Sequence, residues 1–442
     1  AENGVTLHSG TRVKKIDRRR RIVVAEDGSE TPYDRMLLAT GSRPVILPVE
    51  GHALPGVIAF RTIADVEAMI GASQQFHHAV VIGGGLLGLE AAAGLHKLGM
   101  KVRVVHLADV LMERQLDGAA GRMLQQGLEA RGIEFFMGAK TREIIGRKRV
   151  QGVVLEDGRE LSADLVVMAV GIRPDTELAW RADIHCDRGV VVGDTLQTFD
   201  PRIYAVGECV QHRSVTYGLV APLFEQARVC ANHLAQLGFS RYTGSVTSTK
   251  LKVTGIDLFS AGDFTGDSQS ESIIFRDPAR GVYKKLVLEE NRLKGALLYG
   301  DTVDGSWYFE LMRQGGDISA FRDELMFGRA HIGDTGHGGA TSTVEMADDV
   351  QVCDCNGVSK GDIVRAIRSQ GLFTLDEVKK HTKAAASCGG CTGLVEQILG
   401  ATVGGEYTNP DKKPLCACTD FSHDEVRRAI LQQHLIDRAQ TM

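Results

Sequence analysis

Six of the nine cysteines lie at or beyond residue 353, as Cys353-Asp354-Cys355, Cys388-Gly389-Gly390-Cys391 and Cys416-Ala417-Cys418. Thiolates spaced Cys-x-Cys and Cys-x-x-Cys can close as four ligands on one metal site, and spacing alone leaves structural zinc and an iron–sulfur cluster equally open. The Cys-x-x-Cys has no βαβ surroundings of the kind a thioredoxin-like redox pair needs. Cys416 and Cys418 repeat the first pair. Ser359 and Ser422 follow at the same offset in the two copies, as do Ala366-Ile367 and Ala429-Ile430, and the second copy's distal pair falls past Met442. Cys416 and Cys418 are therefore expected as half a metal site. Cys209 and Cys230 stand alone and read as small side chains of a core, and Cys186 is unassigned.

A second chemical signal is Gly83-Gly84-Gly85-Leu86-Leu87-Gly88, a G-x-G-x-x-G run. Its glycines would serve a tight turn (Gly83), close approach to a pyrophosphate (Gly85) and close helix–strand packing (Gly88), with the helix N-terminus facing the anion. This predicts dinucleotide binding. Glu90, early in the helix, suits either the helix dipole or a contact near a nicotinamide. The acidic residue that should bond the adenosine ribose belongs at the end of the next strand. That position is His106, with Asp109, Lys101 and Arg103 nearby, so both NAD and NADP remain open.

The elements around these residues follow from periodicity. Ala79-Val80-Val81-Ile82 is a short continuous apolar run, as a buried parallel strand should be. Helical spacing over Gly83–Leu98, a strand over Val102–Val105, a helix over Leu116–Ala130 and a strand at Ile133–Phe136 predict a parallel sheet with helical crossovers. A hairpin around Val153–Leu161 precedes a return strand, Leu165–Val170. Residues 1–45 read as strands and turns, with Glu26-Asp27-Gly28 as a hairpin signal and Arg18-Arg19-Arg20-Arg21 as a solvated strand edge. Pro44–Pro55 reads as a connector. A strand at Ile203–Val206 leads to a helix around Leu223–Leu237, and residues 245–330 alternate as a separate α+β module. The Gly- and Thr-rich stretch Gly328–Glu345 reads as a linker. Between the first two cysteine pairs, Ile363–Ile367 and Leu375–His381 read as helices, with Ser359 as an N-cap.

Composition narrows the function. The chain has 442 residues, enough for about three domains. With 51 basic and 56 acidic residues its formal net charge is −5, which excludes a dedicated nucleic-acid binder. No run of about 18 apolar residues suggests a membrane span, and the first residues do not read as a signal peptide. Uneven cysteine usage points to a reducing cytoplasm. Glycine supplies 51 residues of 442, well above the ~7% of an average chain, in keeping with many tight turns.

Three further motifs stand in order around the glycine run: Leu38-Ala39-Thr40-Gly41-Ser42-Arg43-Pro44, Val170-Gly171-Ile172-Arg173-Pro174 and Ile203-Tyr204-Ala205-Val206-Gly207-Glu208-Cys209. Together they resemble the two-dinucleotide-binding flavoprotein reductases of the pyridine nucleotide–disulfide oxidoreductase class. The resemblance implies FAD at Thr40, Gly41, Arg43, Gly207 and Glu208, and NAD(P)H at Gly83, Gly85, Gly88, Glu90, His106 and Gly171. Glu208 stands where the class usually has Asp. No Cys-x4-Cys pair is present, which argues against a disulfide reductase. The flavoprotein context shifts the four thiolates toward a [2Fe–2S] cluster, since a flavin takes electrons in pairs and such a cluster accepts them singly. Residues Val352–Cys391 resemble the bacterioferritin-associated-ferredoxin-like [2Fe–2S] domain.

The fold class expected is thus α/β, a two-dinucleotide-binding Rossmann-like reductase, then a small α+β domain and small helical [2Fe–2S] modules. In residues, this is a partial FAD-binding domain (1–46), an NAD(P)-binding domain (47–168), the second part of the FAD domain (169–242), a small α+β domain (243–330), a linker (331–349), a [2Fe–2S] domain (350–402) and a truncated second repeat (414–442). The whole order resembles the large subunits of bacterial NAD(P)H-dependent nitrite reductases, truncated at both ends. The unit that opens the FAD domain does not fit before Thr40, and the first residue is Ala1. The expectation is an electron-input fragment that binds FAD poorly, with siroheme and a [4Fe–4S] cluster only in a missing downstream module. The implied partners are that module, a small reductase subunit and a second copy of the chain. Two alternatives stand beside this: the flavoprotein electron-transfer subunit of an assimilatory nitrate reductase, and a non-catalytic metal-binding regulator on a degenerate Rossmann fold.

Overall fold

The computed structural model describes residues 4–253, 255–329, 332, 346–353, 356–387, 389 and 391–403. The chain divides into two compact units, Ala1–Arg322 and Asp323–Met442.

The apolar run at Ala79 forms the strand His78–Ile82, the centre of a five-stranded sheet. Its order is Val57–Ala59, Leu165–Met168, His78–Ile82, Lys101–Val105, Glu134–Phe136, and every pairing is parallel. The run is continuous in sequence because both faces of the sheet are covered. Val81 packs among residues of the helices α2 (Leu86–Lys97) and α3 (Gly118–Glu129). Val80 packs on the opposite face against Val153, Leu155 and Leu161. The expected hairpin there is a three-stranded antiparallel sheet, Thr141–Gly146, Val150–Leu155 and Glu160–Ser162. The helix before α2 and α3, α1 (Ile63–Ser73), starts on a capping box between Thr62 and Asp65.

The stretches before and after this sheet come together. Met36–Leu38 pairs in parallel with Ile203–Ala205, although more than 160 residues separate them. The hairpin strands Val13–Asp17, Ile22–Ala25 and Glu30–Pro32 form a small sheet. The basic run beside them is held by carboxylates: Arg18 pairs with Asp200 at 3.0 Å and Arg20 with Glu30 at 2.8 Å. The helix expected from Leu223 starts earlier and spans Val220–Leu234. Pro222 sits in its first turn, where a missing N–H costs nothing. Cys209 and Cys230 are buried, and burial raises both thiols, Cys230 to about 11, as inert core side chains require.

The α+β module is a five-stranded antiparallel sheet, ordered Ser248–Val253, Ile256–Gly262, Arg292–Tyr299, Val282–Glu289, Glu271–Asp277, with a helix at Gly305–Gln314. It docks on α3: Tyr283 Oη donates to Asp117 at 2.7 Å, and Tyr299 Oη to the Met123 carbonyl at 3.1 Å. Asp117 also caps α3 through the N–H groups of Ala119 and Ala120.

In the second unit, Gln351–Cys353 pairs with Val358–Ser359. The helices Lys360–Gln370 and Leu375–Thr382 each begin with a capping box, Ser359 with Asp362 and Thr374 with Glu377. A further helix, Thr392–Val403, was not signalled by periodicity, and Val395, Ile398 and Leu399 bury it against Ile363, Ile367 and Val378. The second cysteine repeat lies outside the described residues, as do Cys355 and Cys388. Among the described residues no helix is long and apolar enough to cross a membrane.

One buried histidine yields a pH prediction. His212, 1% exposed, bonds Asp194 at 2.9 Å, and Arg213 pairs with the same carboxylate at 2.8 Å. Hydrogen bonds from Arg213 and His212 hold Asp194 at about 2, below its ordinary 3.8. A lowered folded-state pKa contributes stability that is complete above the unfolded value and lost as pH falls toward the folded one. Denaturant titrations should therefore find Asp194→Asn less stable than the parent at pH 7, with the gap closing between pH 3.8 and about 2. An equal gap at both ends would show that Asp194 acts through shape alone.

Candidate functional site

The glycine run sits where its spacing placed it, between the strand His78–Ile82 and α2, at the C-terminal edge of the parallel sheet. Gly83 has φ +119, and a Cβ there would lie 2.3 Å from the Ala169 carbonyl oxygen. A Cβ on Gly88 would lie 1.9 Å from the Gly83 carbonyl oxygen, so helix and turn touch through backbone. Gly85 is different: nothing lies within 4 Å of a Cβ there. It is the N-cap of α2, and no side chain caps the helix. Exposed space above Gly85 and uncapped N–H groups behind it form a cradle of the right character for a pyrophosphate. Glu90 is exposed on α2. Gly171, φ +108, also borders open space.

His106 does something the sequence did not suggest. It is 7% exposed, and the Gly84 N–H donates to its Nδ1 at 3.0 Å. Nδ1 is thus an acceptor and Nε2 carries the proton, which it directs at Val110 O and Glu113 Oε2, each at 3.1 Å. Both ring nitrogens are engaged within the protein. The ring braces the glycine loop from beneath instead of presenting an acceptor to a ribose.

The flavin-type motifs converge as a second cluster. Ser42–Pro44 and Ile172–Pro174 pair antiparallel, so the two connections between the halves of the fold lie side by side. Thr40 Oγ1 donates to the Asp175 carbonyl at 2.6 Å, and Arg43 reaches Asp175 at 2.9 Å and Glu177 at 2.8 Å. Gly41 and Gly207 have positive φ and open space beside them. Glu208 accepts a hydrogen bond from Ser42 Oγ at 2.7 Å and is paired with Arg61. Arg61 was not legible as a site residue, because it lies 147 positions away in a stretch with no motif. A hydroxyl-accepting carboxylate, positive-φ glycines and open backbone suit the ribityl–phosphate region of a flavin.

The third cluster is in the other unit. Cys353 ends a strand and Cys391 immediately precedes the helix Thr392–Val403, and both are buried, at 2% and 7% exposure. The Cys391 thiol donates to the Cys353 sulfur, and the backbone N–H groups of Ala385 and Asn356 donate to it as well. Asn356 Nδ2 lies 3.6 Å from the same sulfur and is fixed by the Lys383 carbonyl at 2.7 Å and Ser387 Oγ at 3.0 Å. These donors, Cys391 foremost, draw the Cys353 thiol well below its ordinary range. Ala385 takes φ +58 to aim its N–H there, a conformation a non-glycine residue seldom adopts. A buried thiolate ringed by N–H donors fits an anionic sulfur-bridged cluster, whose potential such bonds tune. Asn356 and Ala385 carried no spacing signal. Of the four predicted ligands, the described residues hold these two. Cys355 and Cys388 lie outside them, as do Cys416 and Cys418.

Comparison with known proteins agrees with this anatomy. Residues 1–233 match the family model of the pyridine nucleotide-disulphide oxidoreductases, 248–316 that of the rubredoxin NAD+ reductase C-terminal domain, and 351–401 that of the BFD-like [2Fe-2S] binding domain. The chain is 46% identical over 442 residues to a nitrite reductase [NAD(P)H] of Bacillus subtilis, covering 100% of this chain and 54% of that protein. It is 40% identical, over 100% of its length and 56% of the relative's, to the assimilatory nitrate reductase electron transfer subunit of the same organism. The chain thus spans about half the length of these curated relatives. A crystal structure of a ferredoxin reductase from Rhodopseudomonas palustris aligns with a TM-score of 0.62 at 30% identity, covering 66% of this chain and 74% of that one.

The glycine geometry separates two kinds of variant. Gly88→Ala should cost about 2 kcal/mol of stability, because its Cβ must push α2 off the turn. Gly85→Ala should leave the urea midpoint unchanged and weaken NAD(P)H binding, because its Cβ enters only the open cradle. Equal stability losses for the two would sink this division of labour.

Proposed function

Because the chain belongs to the pyridine nucleotide-disulphide oxidoreductase family, we propose that it is the electron-input part of an NAD(P)H-dependent nitrite reductase. The observation that carries the reading is one of combination. A nucleotide cradle on a parallel sheet and a buried, N–H-supported thiolate pocket occur in one chain, and the 46% identity to a nitrite reductase runs through both.

In this reading Gly83, whose N–H is held by the Val105 carbonyl at 2.8 Å, makes the turn and Gly88 the close helix packing, Gly85 at the uncapped N-terminus of α2 meets the NAD(P)H pyrophosphate, and Glu90 and Gly171 border the nicotinamide half. Thr40, Gly41, Arg43, Gly207 and Glu208 hold FAD, with Ser42 and Arg61 fixing the Glu208 carboxylate. Cys353, Cys355, Cys388 and Cys391 hold a [2Fe–2S] cluster, and Asn356 and Ala385 steady Cys353. When bound, the flavin accepts a hydride from NAD(P)H as an electron pair and the cluster takes the electrons one at a time. The chain's own share is positioning and electrostatics, and no side chain need act as acid or base. Nitrite is then reduced to ammonium at a siroheme and [4Fe–4S] module outside these residues, in the cytoplasm, with a small reductase subunit and a second copy of the chain as further partners. Cys416 and Cys418 belong to a second cluster module. The 40% identity to a nitrate reductase electron transfer subunit favours one other reading, in which the same electrons go to nitrate reductase.

The test is anaerobic purification of the protein from its native reading frame. Flavin absorbance, acid-labile sulfide, bleaching by NAD(P)H and nitrite-dependent NAD(P)H oxidation are expected. Bleaching without nitrite turnover, with electrons passed to a nitrate reductase, selects the second reading. A colourless protein that holds zinc overturns both.

A further inference from the structure

The coenzyme site lacks the acid that a dinucleotide fold places at the end of its second strand to read the adenosine ribose. The strand Lys101–Val105 ends on His106, whose two ring nitrogens are engaged within the protein. The ring nevertheless leads to an acid. Gly84 N–H occupies Nδ1, so Nε2–H is the donor, shared between the Val110 carbonyl and Glu113 Oε2, each at 3.1 Å. The Glu113 side chain is 46% exposed, whereas His106 beneath it is 9% exposed. A carboxylate is thus tied, through one imidazole, to the backbone of the glycine loop itself.

Resting on the electron-input reading, we propose that Glu113 is the ribose-reading acid of this site and makes the chain select NADH over NADPH. Glu113 lies seven positions beyond His106, so the loop after the strand supplies the carboxylate that the strand end does not. His106 is a positioning residue. It accepts from the loop that binds the pyrophosphate and donates to the acid that meets the adenosine ribose, so the two contacts share one rigid reference. A carboxylate accepts hydrogen bonds from the ribose hydroxyls and repels a 2′-phosphate.

The two basic residues of the preceding strand, Lys101 and Arg103, are placed elsewhere. Lys101 begins its strand, at the end of the sheet away from the glycine loop. Arg103 is held by Glu134 at 2.8 Å and by Ser162 Oγ at 3.2 Å. Arg114 is the base that shares the loop, and it is exposed next to Glu113. Arg114 is the rival determinant, since it would favour a 2′-phosphate.

Two measurements test the assignment on the full-length, flavin-loaded protein. Calorimetry should find ADP-ribose bound more tightly than 2′-phospho-ADP-ribose, a readout that needs no electron transfer. With ferricyanide as acceptor, Glu113→Gln should raise the KM for NADH about tenfold, as loss of one charge-assisted hydrogen bond does, with kcat little changed. Glu113→Arg should shift preference toward NADPH. A Gln variant with the parent's KM for both coenzymes, or a parent that prefers the 2′-phosphorylated ligand, overturns the role of Glu113 and leaves the electron-input reading standing. A parent that oxidises neither coenzyme overturns that reading, and the proposal with it.

Discussion

Two short connections, Ser42–Pro44 and Ile172–Pro174, carry the chain out of one nucleotide-binding layer and back into it, and they lie antiparallel with Arg43 opposite Arg173. Like charges across a strand pair repel. The repulsion is offset because Arg43 is held by both Asp175 and Glu177. Gly41 and Gly171, each with positive φ, allow the turns that enter the two connections. Main-chain bonds then lock them, from Asp175 N–H to Gly41 O at 2.9 Å and from Val45 N–H to Gly171 O at 2.9 Å. Because both crossings are tied, Met36–Leu38 can meet Ile203–Ala205, and the parallel sheet is built entirely between them.

That constraint also sets the electrostatics of the flavin-side cluster. Arg61 follows the first strand of the parallel sheet, whereas Glu208 follows a strand of the other layer, and the tied crossings let them pair. Glu208 would otherwise be a carboxylate at 11% exposure facing only Ser42. The second unit solves a similar problem with neutral donors. Its low-lying thiol is supported by Asn356, by the Ala385 N–H and by Cys391 at the start of a helix, where the helix N-terminus favours negative charge.

Local features were readable because local physics makes them. The strand His78–Ile82 was evident from unbroken apolar residues, and the turn after it from glycines that a Cβ would obstruct. Ser359 was legible as a cap because its partner Asp362 is three residues on. The helix Thr392–Val403 was missed, since its buried face is defined by packing against Ile363 and Val378 and its own sequence is apolar on most sides. The helix expected around Leu223–Leu237 spans Val220–Leu234 instead, with Pro222 in its first turn, where the backbone needs no N–H donor.

The division is between what local sterics and spacing fix and what the folded chain brings into contact. Residue spacing alone determined the nucleotide loop and the cysteine pairs, since each depends on backbone sterics or ligand reach within a few residues, whereas the three flavin-type motifs were legible through their resemblance to a known family. Tertiary structure decided which groups pair: Arg61 with Glu208, Asp117 with Tyr283, Asn356 with Cys353, His106 with Glu113. A side chain's charge and hydrogen-bond role are set by what lies within about 3 Å of it. For Arg61 and Asp117 that neighbour lies 147 and 166 positions away, whereas for Cys353 and His106 it lies three and seven positions away, brought in by loops whose course no periodicity encodes.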